Sequence, residues 1–158
     1  MMMKKILAVS MFFVCIVMFS SIYTYAQDPI IGTWVTVADK GADKGKNTSH
    51  VEIFEKNGLY YGKIVKLLLE PADELCTKCK GDLKNNPVVG MVILKGLKKT
   101  GKADKSLGME YDSGTIMDPK DGETYRSKAW VKDDVLTMRG FVGISLLGRS
   151  ANWIRLKK

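Results

Sequence analysis

The chain has 158 residues, with 25 basic and 17 acidic side chains, a formal net charge of +8, one histidine and three cysteines. That length suits a targeting segment and one ordinary domain. A lone histidine and a single cysteine pair beyond the first 26 residues leave no second Cys/His pair for a zinc-finger framework, and no Walker-type loop, dinucleotide fingerprint or HExxH is present.

Residues 1–26 read as a secretory signal. Lys4 and Lys5 form a basic start, Ile6 to Ile22 is uncharged and apolar apart from serines, and Thr24 and Ala26 stand at −3 and −1 of a small-residue cleavage site. The rival reading is an uncleaved anchor, for which the apolar run is slightly shorter than the roughly 20 residues a span needs. Cys15 follows Phe12, Phe13 and Val14 rather than small residues, which argues against lipidation. Cleavage after Ala26 removes Cys15 and leaves residues 27–158 as one domain with a charge of +6, and no membrane span remains in it. The address is then the periplasm or the exterior.

Short β-type runs broken by turn residues follow. "GTWVTV" (32–37) is β-branched and aromatic. "TSHVEIFEK" (48–56) leads through Asn57-Gly58, a strong hairpin signal, into "LYYGKIVKLLL" (59–69). "PVVGMVILKGL" (87–97) is a further apolar run. "EYDSGTIMD" (110–118) meets the turn "PKDG", "ETYRSKAWV" (123–131) follows, and "KDD" turns the chain into "VLTMRGFVG" (135–143). "SANWIRLK" (150–157) ends it. Segments 70–86 and 98–109 read as irregular. In "ETYRSKAWV" the alternation places Ala129 and Val131 on an inward face with Tyr125 and Ser127. In "VLTMRGFVG" the inward set is Leu136, Met138, Gly140 and Val142. "GFVGISLLG" (140–148) reads as a strand, a bend and an apolar segment crossing the barrel mouth or floor.

About eight sequential strands without an amphipathic helix predict an all-β fold. Hairpin after hairpin favours a small antiparallel up-and-down barrel, whose closure removes exposed edges.

The ends of the domain carry a resemblance. "GTW" at 32–34 answered by "NWIR" at 152–155 resembles the lipocalins and their calycin relatives. In those proteins a final-strand arginine packs over the first tryptophan where the barrel floor closes, which implies a structural pair of Trp34 and Arg155. A guanidinium over an indole gains about 0.5–2 kcal/mol. Three longer stretches, "CTKCKGDLKNNPVVGMVIL" (76–94), "SGTIMDPKDGETY" (113–125) and "LTMRGFVGISLLGRSANWIR" (136–155), resemble in order the domain of unknown function 2147 family of exported bacterial proteins. They carry Gly114, Asp118, Pro119, Gly122 and Tyr125, then Arg139, Gly140, Gly148, Arg149 and Trp153. Met117 stands where that pattern often has an aromatic residue. The resemblance implies an exported, lipocalin-like barrel and no particular reaction.

The residues offer little chemistry. "CTKC" (76–79) admits a zinc half-site, a redox couple or a disulfide. Zinc lacks two further ligands at a supporting spacing, and a redox couple lacks the helix start beside a βαβ pattern. A local Cys76–Cys79 disulfide suits an oxidising compartment and is worth only about 2 kcal/mol in a ring this small. His50, flanked by Glu52 and Phe54 on its face, reads as structural, since neither Ser145 nor Ser150 lies in a nucleophile elbow. Asp112, Asp118, Asp121 and Glu123 gather around "DPKDG", where aspartates are ordinary turn formers. Lys95, Lys98, Lys99, Lys102 and Lys105 form a basic run that reads as a solvated loop, with loose contact to an anionic envelope surface as the alternative. Export and the lack of interleaved aromatics argue against nucleic acid.

No cofactor is indicated, and nothing sets an oligomeric state. The first functional expectation is a non-catalytic module binding a small apolar or envelope-derived ligand. The second is a structural or interaction protein of the envelope, with a solid core and loop contacts to a partner. An enzyme comes third, for want of a catalytic constellation.

Overall fold

The computed structural model describes residues 27–157; the expected signal segment, residues 1–26, lies outside them. Its strands are β1 (Gly32–Val37), β2 (Asn47–Lys56), β3 (Leu59–Leu67), β4 (Val92–Asp104), β5 (Gly108–Asp118), β6 (Glu123–Lys132), β7 (Val135–Phe141) and β8 (Arg149–Arg155). Each pairs antiparallel with the next. β8 returns to β1 through Trp34↔Arg155 and Val35↔Ile154, closing the barrel. Asn57 and Gly58 take φ of 55° and 75°, the positive pair that a tight two-residue hairpin demands.

The meander sorts the connections by end. The three tight turns (57–58, 105–107 and 133–134) share the end where β1 begins and β8 finishes. The longer connections (38–46, 68–91, 119–122 and 142–148) share the other. Inside, period-two alternation fills the core: Ser127, Ala129 and Val131 on β6, Leu136 and Met138 on β7, and Val51 and Ile53 on β2 are all buried. Ser127 carries a buried hydroxyl without a partner among the described residues and faces Gly114.

Four sequence expectations are corrected. Segment 98–109 is mostly strand, the long arms of the β4–β5 hairpin. The β4 arm from Lys98 to Asp104 is exposed on both faces, so apolar alternation is not required of it. Asp104 closes the hairpin turn by accepting the Ser106 and Leu107 N–H groups at 2.7 and 2.9 Å. The run from Pro87 becomes β4 only at Val92; Pro87 instead forms an isolated bridge with Leu75. Val142 is exposed rather than inward, because β7 ends at Phe141. The apolar segment after it does not cross the mouth or the floor but stands in solvent at the rim.

Candidate functional site

The end with the tight turns is shut. Ile30 and Trp34 are fully buried, and the indole Nε1–H donates to the Ile30 carbonyl at 2.9 Å. The Arg155 guanidinium lies 4.1 Å from the Trp34 ring centroid and donates to the carbonyls of Ile31, at 3.1 Å, and Pro29. Asp134 stands 3.5 Å from its Nε. Asp28 fastens the same segment: it accepts the Tyr111 hydroxyl, the Ile30 N–H at 3.2 Å and the Lys99 ammonium at 2.8 Å. Burial pushes the Asp28 carboxyl up, but the bonds from Lys99, Tyr111 and the Ile30 backbone outweigh it, so its pKa falls below the ordinary 3.8. Burial first and the Asp28 carboxylate second raise the phenols of Tyr60 and Tyr111, whose rings meet edge to face at 5.3 Å.

The opposite end is hollow. A cavity of about 930 Å³ opens there, within the roughly 300–1,000 Å³ usual for small-molecule sites. Ile64, Ile116, Met138, Ala151 and Trp153 give it apolar walls. On one side sits a hydroxyl cluster. Thr36 Oγ1 is hydrogen-bonded to Thr48 Oγ1 at 2.5 Å and Ser49 Oγ at 2.7 Å, and it accepts the Ser49 N–H at 3.1 Å. Beside this cavity the barrel wall thins. The β1–β8 ladder stops at Val35↔Ile154, and a second hollow of about 420 Å³ lies along the seam at Val37, Ser150 and Ala151.

Loops from several sides meet over the mouth through ion pairs. Lys40, in the β1–β2 connection, is 3.8 Å from Asp118 and 3.6 Å from Asp121. Lys120 is 3.2 Å from Glu70 and 4.0 Å from Asp43. All these groups are substantially exposed, so each pair is worth about 0–1 kcal/mol. The rim can therefore part at small cost.

The cysteine segment packs against this rim. The sulfurs of Cys76 and Cys79 stand at disulfide distance, 2.00 Å. Cys76 Sγ lies 3.4 Å from the Pro119 carbonyl oxygen, and Cys79 Sγ lies 3.8 Å from Met117 Sδ. Gly122 makes the closeness feasible: its φ is +74°, and a Cβ there would sit 2.0 Å from the Lys78 carbonyl oxygen. Two stretches far apart in sequence, "CTKC" and "DPKDG", thus form one corner of the mouth. Tyr125 belongs to it, donating to Asp121 at 3.0 Å, a bond that raises the phenol's pKa.

The other singled-out residues disperse. Gly114 lies against Leu97 deep in the wall, and Gly140 and Gly148 approach each other where β7 and β8 meet their connection. Arg139 binds that connection, Arg149 stands at the mouth, and Trp153 lines the cavity. His50 sits half-buried on β2, outside the cavity lining. The carboxylates are taken up by lysines: Asp112 by Lys128 at 2.7 Å, Glu123 by Lys80 at 2.6 Å, and Asp118 and Asp121 by Lys40. Among the described residues, no group of three or more His, Cys, Asp or Glu is placed to hold a metal ion, and no helix is long and apolar enough to cross a membrane. Sequence reasoning missed Asp28, Tyr111 and the Thr36–Thr48–Ser49 cluster. Asp28-Pro29 directly before the first strand was the available signal for the first.

A closed eight-stranded meander, shut by an arginine-covered tryptophan and hollow at the far end, is a lipocalin-like barrel. A solved structure of protein HP1028 from the human pathogen Helicobacter pylori, described as belonging to the lipocalin family, is similar to it. The TM-score is 0.67 at 24% identity, over 81% of this chain and 83% of that one. The family itself follows from the sequence match: the chain belongs to the uncharacterized proteins conserved in bacteria grouped as domain of unknown function 2147, whose model matches residues 32–155. Comparison with curated proteins finds no match.

Proposed function

We propose that this is an exported, non-catalytic bacterial binding protein whose open end takes up a small apolar or amphipathic molecule. The observation that carries the reading is the cavity of about 930 Å³, charged at its mouth and apolar in its depth around Ile64, Ile116, Met138, Ala151 and Trp153, with one cluster of hydroxyls. Apolar walls reward burial of a chain or ring at about 25 cal/mol per Å² removed from water. The hydroxyls of Thr36, Thr48 and Ser49 offer a polar end a place to bond. A structural protein with a solidly packed barrel has no use for such a hollow. Export is supported by the signal-like first 26 residues, by membership in a bacterial family and by a cysteine pair at disulfide distance. Cys76–Cys79 then pins the corner of the mouth, and Trp34–Arg155 secures the floor.

Native mass spectrometry of the protein purified from its own host tests this. The expected result is a polypeptide beginning at Gln27 that carries an additional mass released by organic solvent. A chain that retains Met1–Ala26 would refute cleavage. A bare polypeptide in every preparation would refute the binding reading.

A further inference from the structure

The connection between β7 and β8 presents four large aliphatic side chains to solvent within six residues. Val142, Ile144, Leu146 and Leu147 are 71%, 61%, 81% and 76% exposed. Single exposed leucines are ordinary on a protein surface, but a contiguous apolar tip is not.

The tip is held in shape. Arg139 donates from Nε to the Ser145 carbonyl at 2.7 Å and from Nη2 to the Leu146 carbonyl at 3.0 Å, while its Nη1 reaches Ser150 Oγ at 2.9 Å. Arg126 donates to the Gly143 carbonyl at 3.2 Å. The Leu147 and Gly148 N–H groups bond back to Ile144 and Ser145 at 3.2 and 3.1 Å. The carbonyls of Gly143, Ile144, Ser145 and Leu146 and the N–H groups of Leu147 and Gly148 are thus paired from within while the aliphatic side chains face out. Pairing these groups lowers the cost of taking the tip out of water.

Charge selects the kind of surface. From Val135 to Ile154 the only charged side chains are Arg139 and Arg149, and from Thr124 to Val131 they are Arg126 and Lys128. Lys128 is paired with Asp112 on β5, and the acids of the neighbouring turn, Asp118, Asp121 and Glu123, are paired with Lys40 and Lys80, which leaves Arg126, Arg139 and Arg149 without an ion pair among the described residues. A guanidinium has five donors, so Arg126 and Arg139 keep some beyond those given to the loop.

We infer that the β7–β8 tip docks the barrel on an anionic lipid surface. The four aliphatic side chains enter the boundary between headgroups and acyl chains, and Arg126, Arg139 and Arg149 lie at the level of the phosphates. Val142, Leu147 and Arg149 also border the cavity mouth, so docking turns the mouth toward the bilayer. This inference stands whether or not the cavity holds a ligand.

Flotation with vesicles tests it, using the chain from Gln27, which contains all eight strands. The chain is expected to float with phosphatidylcholine–phosphatidylglycerol vesicles more than with phosphatidylcholine alone, and less as salt rises. Leu146→Ser with Leu147→Ser should lower partitioning by about tenfold or more, with an unchanged melting temperature because both side chains are exposed. Arg149→Gln should lower it less. Absence of flotation with either vesicle, or a double variant that floats like the parent, overturns the inference. So does self-association lost in the double variant without any vesicle binding, which would assign the tip to contact between two copies.

Discussion

At the closed end, Trp34, Ile30, Tyr111 and Leu136 have no exposed surface, and Arg155 and Asp28 tie the segment before β1 to residues more than 70 positions away. At the open end, Ile116, Met138 and Ala151 face an empty space of about 930 Å³, and β1 and β8 part above Val35. There the rim is held by exposed ion pairs. Both ends belong to the same strands, so the contrast arises from what the side chains meet. Close packing around the buried Trp34 and Ile30, with part-buried charge-assisted hydrogen bonds at Asp28 and Arg155, makes the floor expensive to disturb. Solvent-screened pairs make the mouth cheap to open. A barrel so divided can keep its fold while it changes shape where a ligand must pass.

The largest test of the contrast is Trp34→Ala. It removes a fully buried ring and its bond to Ile30, and should cost about 3–5 kcal/mol. Trp153→Ala, at the edge of existing empty space, should cost about half of that, since fewer contacts are lost. Denaturant unfolding of both variants checks this. Equal losses would erase the distinction between the two ends.

Asp28→Asn should have a smaller effect, about 2 kcal/mol, the order of a hydrogen-bonded charge. It also has a pH signature. The folded pKa of Asp28 is lowered, so its contribution is complete above the ordinary 3.8 and is lost as pH falls through the lower folded value. The parent should therefore lose stability more steeply below about pH 4 than the asparagine variant does. Parallel acid profiles would show that Asp28 does not lock the floor.

The walls were legible in the sequence because each is half-buried. Asn57-Gly58 announced its hairpin, and Ala129 and Val131 announced an inward face. The β4–β5 arms were not legible, since Lys98 to Asp104 are exposed on both faces and carry no alternation. The hollow was illegible for a different reason. Leu136 is sealed in the packed half and Met138 borders the cavity, yet they are neighbours on one face of one strand with the same apolar character. Whether apolar positions meet one another or an empty space depends on how wide the barrel is at that level, and no local pattern records it. Val142 misled because alternation continues in the sequence past the point where the strand stops.

The most direct measurement of the central claim is a titration with an apolar fluorescent probe of the parent chain and of Ala151→Phe, which places a ring in the hollow half and leaves the floor untouched. The parent should bind the probe saturably. Ala151→Phe should bind it at least about tenfold more weakly, with an unchanged melting temperature. Equal binding by both chains, or none by the parent, would contradict a hollow end that takes up an apolar molecule.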